Sequence, residues 1–170
     1  MVVYALSLVA LYGVSAAYHL LPMSEGARSW MRRADHATIY LVIAGAFGPF
    51  CLLVVGGTEG RVLLYLVWAG AAAGVGLKLA RFERSHAATG TLYVVLGWLA
   101  AVALPTALRR LDTADIVLMF TVGVLYTAGT VVLVTRWPDP FPDVFGYHEV
   151  WHAMVVAASA CYFAVVWSIV

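Results

Sequence analysis

Charge is what this chain of 170 residues has least of: Asp, Glu, Lys and Arg together make up 11% of it, against about 25% in an ordinary soluble domain. So few ionic groups cannot clothe a water-facing surface, which excludes a soluble globular domain. The formal balance is only +1, and no nucleic-acid partner is expected. Cysteine is nearly missing too. Cys51 and Cys161 both fall inside apolar runs, where a thiol behaves as a small apolar side chain, so no disulfide framework is implied. A basic stretch at the start is also lacking. MVVYALSLVALYG carries none of the positive charge that opens a secretory signal, and the first run is read as a retained helix.

Hydrophobic residues are what remains, at 64%. They fall into charge-free runs at 1–24, 36–58, 62–77, 85–108, 116–135 and 150–170. Spanning a bilayer takes about 20 apolar residues; five runs are long enough outright, and the third reaches that length if Arg61 and Lys78 snorkel outward. The expected fold is all-α, a polytopic membrane helical bundle with six transmembrane helices near 1–21, 36–57, 62–79, 87–108, 115–135 and 148–170. No linker is long enough to divide it, so a single domain over 1–170 is expected.

Short loops rich in Lys and Arg stay cytoplasmic. Loops one, three and five hold seven such residues, Arg28, Arg32, Arg33, Lys78, Arg81, Arg84 and Arg136, whereas loops two and four hold three, Arg61, Arg109 and Arg110. Odd loops are therefore expected inside and both termini outside.

The polar residues that a membrane helix should not carry gather at that same inner end. Ser15 and His19 lie four apart at the end of the first run, Asp35 and His36 open the second, and His148 and His152 lie four apart where the sixth begins. Ionisable groups at membrane depth are costly and usually functional. Neutral imidazole is a preferred zinc ligand, and three protein ligands leaving one position open make a catalytic site; His19, His148 and His152 supply three, and Asp35 supplies a carboxylate to orient water. The ordinary alternatives are concrete: a histidine near a helix end is more often interfacial or bonded to a backbone carbonyl than a ligand, the reading kept for His36 and His86, and Ser15 can bond its own i−4 carbonyl.

HEVWH (148–152) also matches H-E-x-x-H, in which Glu149 would serve as the base of a helix-borne metalloprotease. The 18 residues after His152 contain no His, Asp or Glu, so a third ligand has to come from upstream, and an intramembrane metalloprotease would have to recruit Asp35.

SAAYH (15–19), DHATIYLVIAG (35–45) and HEVWH, in this order and with GAFGPF (45–50), a Gly74-x-x-x-Lys78 ending, TLYVVLGW (91–98) and LYTAG (125–129) between them, resemble the hemolysin III branch of the progestin and adipoQ receptor family across nearly the whole chain. The resemblance implies a zinc held by His19, His148 and His152 near the cytoplasmic face, Asp35 on the water that zinc holds, Ser15 close by, and residence in the plasma membrane of a bacterium. The wider superfamily resembles alkaline ceramidases, which implies hydrolysis of a lipid amide or ester, with a membrane-dissolved lipid as substrate or ligand. Family members have seven helices, and these runs resemble the second to the seventh. Other readings stay open: a non-catalytic receptor or regulator with structural zinc, and a cytolytic pore, although no polar stripe lines a lumen. A homo-oligomer also stays open.

Three further expectations concern packing. Gly70-x-x-x-Gly74 lets helices approach closely, Pro49 kinks the second helix while neighbours satisfy the freed carbonyl, and WPDPFPD (137–143) cannot be helical through its prolines and is read as an extended loop and lid beside the site.

Overall fold

A computed structural model of the chain describes residues 1–80 and 86–170, the side chains of 86–89 excepted. Arg81 and Arg84 of loop three, and the side chain of His86, therefore lie outside the described residues. Six helical segments among the described residues are long and apolar enough to cross a membrane: Val2–Leu20, Glu25–Val55, Gly57–Leu79, Gly90–Arg110, Thr113–Thr135 and Tyr147–Ser168. No strand occurs among the described residues, and large apolar side chains such as Val9, Tyr65 and Trp167 are at least 70% exposed. That outward apolarity is what a lipid solvent asks for. The chain divides into two compact units, Met1–Arg84 and Ser85–Val170.

In the first unit, α1 (Val2–Leu20) and α3 (Gly57–Leu79) both pack on α2 (Glu25–Pro49). Helix α2 starts at Glu25, eleven residues before the expected 36. The Ala27 N–H donates to Ser24 Oγ at 3.4 Å, and Glu25 lies in the first turn, where its charge complements the helix dipole. Its polar first turns broke the apolar run without breaking the helix, and Arg28, Arg32 and Arg33 ride on it rather than in a loop.

At Pro49 the ring removes an N–H and crowds the preceding carbonyls. The chain answers by widening into a π-helical stretch, Phe50–Val55, closed by the Gly56 N–H on the Cys51 carbonyl at 2.9 Å. The turn into α3 then takes Gly56 and Gly57 through φ of 70° and 56°, a region open to glycine at little cost. Further along α3, a Cβ on Gly74 would run into the ring of Tyr40, which is fully buried. The small-residue stretch thus serves packing inside this unit.

In the second unit, α6 (Thr113–Thr135) packs along α7 (Tyr147–Ser168) and against α4 (His86–Trp98). The expected continuous helix over 87–108 is divided: α4 tightens into a 3-10 stretch at Leu99–Ala103 before α5 (Leu104–Arg110). Pro105, at the start of α5, is the cause, since its ring opposes the carbonyl four residues earlier. Two polar ties cross from α6 to α7. Ser168 Oγ lies 2.8 and 2.7 Å from the two carboxylate oxygens of Asp115, and Tyr126 Oη lies 3.2 Å from Ser159 Oγ. In an apolar solvent such bonds hold helices together where the hydrophobic effect cannot.

Candidate metal centre

Helix α7 begins under two carboxylates. The Gly146 N–H donates to Glu149 Oε2 at 2.9 Å, and the Tyr147 N–H donates to Asp139 Oδ1 at 2.8 Å. Helix starts leave such N–H groups without intrahelical partners, and a Glu at the third helical position reaching back to the cap residue is half of a capping box. Glu149 is therefore occupied at its own helix end. Asp139 also corrects the reading of WPDPFPD. The segment is not helical, but neither is it extended: the Phe141 N–H donates to the Phe145 carbonyl at 3.1 Å and the Phe145 N–H to the Phe141 carbonyl. The loop folds back on itself and is pinned to α7 by Asp139.

In the first two turns of that helix, His148 and His152 face each other with Nε2 atoms 3.1 Å apart and ring planes at 88°. Between them, Trp151 is buried, with its ring 5.6 Å from that of His148 and 4.7 Å from that of His152. Trp151 reaches α6 at Gly129, where an added Cβ would sit 3.3 Å from the indole Cδ1. The tryptophan thus fixes the rotation of α7, and with it the direction in which both imidazoles point.

The first unit carries the other residues singled out by the sequence. His19 ends α1, exposed and edge-on to Tyr18 at 4.7 Å between ring centroids, and Ser15 lies half-buried one turn earlier. On α2, Asp35 is buried at 5% exposure, and Thr38 Oγ1 donates to its backbone carbonyl at 2.6 Å. His36 turns back along the helix, with Nδ1 2.7 Å from the Arg32 carbonyl and 3.9 Å from Asp35 Oδ2. A carbonyl only accepts, so Nδ1 carries the proton, and 3.9 Å is too long for a hydrogen bond to Asp35.

Sequence reasoning missed Asp139 and Trp151. The glycine before HEVWH was a usable signal for a helix start, since Gly146-x-x-Glu149 has capping-box spacing. Nothing local announces that Asp139 reaches Tyr147 eight residues on.

A family model described as haemolysin-III related matches residues 1–163. The chain belongs to this family. Among curated relatives of this haemolysin-III related protein, the "Hemolysin-3 homolog" of Bacillus subtilis (strain 168) is 32% identical over 161 residues, which cover 95% of this chain and 72% of that protein. The "Hemolysin-3" of Bacillus cereus is 31% identical over 162 residues, covering 95% and 70%. With six spanning helices and these relatives, the haemolysin-III related chain is a multi-pass membrane protein.

Proposed function

We propose that this protein is a zinc-dependent membrane hydrolase acting on a lipid amide or ester, with the metal held by His19, His148 and His152 toward the cytoplasmic side of a bacterial plasma membrane. The observation that supports it is the histidine pair. Two Nε2 atoms bound to one tetrahedral zinc at 2.0–2.1 Å lie about 3.3 Å apart, and those of His148 and His152 are 3.1 Å apart. The donor set fits the metal. His19 is assigned as the third ligand by the helix-end pattern of the sequence and by the family resemblance.

Zinc, when bound, supplies Lewis acidity that polarises a carbonyl and brings the pKa of water toward neutrality. The remaining roles belong to the chain. Asp35, a buried carboxylate, orients the attacking water and takes its proton, a general-base role contributing about 10²–10⁴ in rate. Ser15 donates a hydrogen bond to the oxygen on which negative charge develops. A site opening at membrane depth favours substrates already dissolved in the bilayer, and the lipid class rests on family analogy.

Metal analysis tests the centre. Purified protein never exposed to chelator should hold about one zinc per chain if one three-histidine site exists. No zinc in protein shown to be folded would remove the hydrolase reading and the structural-zinc receptor alike.

A further inference from the structure

The residues of α2 ahead of Asp35 form a surface that the proposed hydrolysis does not use. At about 1.5 Å per residue, the 31 residues from Glu25 to Val55 make a helix of about 46 Å, while the hydrocarbon core is about 30 Å thick. About ten residues must project beyond it. The charge-free portion begins at His36 and Asp35 belongs to the site, so the projecting part is 25–34, which carries Arg28, Arg32 and Arg33 against Glu25 alone.

Arg28 and Arg32 are both exposed. They lie one turn apart, about 6 Å along the axis and about 40° around it, a spacing at which two guanidinium groups can converge on one phosphodiester. One aromatic ring flanks Arg28, and a second, on the opposite side of the helix, pairs with Arg33. The Arg28 guanidinium lies 5.9 Å from the Tyr18 ring centroid, and that of Arg33 lies 4.7 Å over Trp30. Trp30 is 56% exposed on a helix that emerges from lipid, the depth at which membrane proteins place their aromatic belts.

We infer that Arg28 and Arg32 bind the headgroup of an anionic phospholipid of the surrounding leaflet. The charges are complementary, and guanidinium is suited to phosphate by geometry as well as charge. The surface lies within one unit and stands whether or not zinc is bound, so the inference does not rest on the hydrolase reading.

Native mass spectrometry of the purified full chain, offered equal amounts of phosphatidylglycerol and phosphatidylcholine in an uncharged detergent, tests this. The parent should retain phosphatidylglycerol in preference, and Arg28→Gln and Arg32→Gln should each weaken that preference about fivefold, the scale of one basic residue at an anionic surface. The variant with both arginines changed to Lys, which keeps the charge, should retain most of it, and Arg61→Gln, on α3, should change nothing. Equal binding of the two lipids by the parent overturns the proposal, as does a preference that survives both Gln changes or falls equally in Arg61→Gln. Displacement of the lipid by millimolar inorganic phosphate would show a general anion site instead. Zinc content measured on the same samples reports on the metal centre separately.

Discussion

Glu149 stands between two histidines in the pattern of a metalloprotease, yet its carboxylate closes the start of its own helix by accepting the Gly146 N–H at 2.9 Å. A glutamine can accept the same bond through its amide oxygen. Glu149→Gln is therefore expected to keep its zinc and stay within a few-fold of the parent in hydrolysis of a short-chain lipid amide, whereas Asp35→Asn should lose about 10²–10⁴ in rate with most zinc retained. A dead Glu149→Gln protein with full metal, beside an active Asp35→Asn protein, would return the base role to Glu149. Replacing His19 with Ala should lower zinc affinity as much as replacing His148 or His152, while His36→Ala and His86→Ala keep their metal; zinc titration with a competing chelator reads this, and a His19→Ala protein with unchanged affinity removes that ligand from the set. The pair was legible in the sequence because four residues is one helical turn and fixes a shared face. Asp139 was not, because its partner is a backbone N–H brought near only by the folding of the loop. Trp151 was hidden differently: its apolar ring reads as ordinary helix surface until Gly129 of α6 is seen beneath it.

Among the helices, the apolar runs located every spanning segment, since lipid leaves the backbone no other partner than itself. Their ends were less legible. Charge marks where a helix leaves the hydrocarbon, not where it stops, so α2 extends eleven residues beyond the expected start to a cap at Ser24. Pro49 and Pro105 signalled disturbance, but whether the backbone widens, as after Pro49, or tightens, as before Pro105, depends on packing that composition does not carry. The close approach inside the first unit depends on one position. Gly74→Ala would force a methyl group against the Tyr40 ring, and with that ring fully buried the overpacking should cost about 1–3 kcal/mol. Thermal unfolding followed in detergent should show a clear drop in midpoint for Gly74→Ala and little change for Gly13→Ala, which meets nothing within 4 Å. Equal midpoints for the two would mean that this contact does not govern the packing.

For the whole chain, the expected orientation rests on seven basic residues between apolar runs one and two, three and four, and five and six, against three between the others. Single cysteines placed at 81–86 and at 109–115, in a background with Cys51 and Cys161 replaced, should give labelling of intact cells by an impermeant thiol reagent only at the second position. Labelling at the first alone would reverse the chain and put the histidines on the outer face. The wide turn at Phe50–Val55 bears on chain length itself. A π-turn holds one residue more than the α-turn it replaces, so a chain shortened by one residue there can close into ordinary α-helix while the segments before and after keep the faces they present. Deleting Leu52, which is 59% exposed, should accordingly leave a protein that elutes as a single sharp species in detergent. Deleting Val42, in the regular part of the same helix, would rotate everything beyond it by about 100° and should not. The six residues after Pro49 are then where this helix can lose a residue without losing its fold.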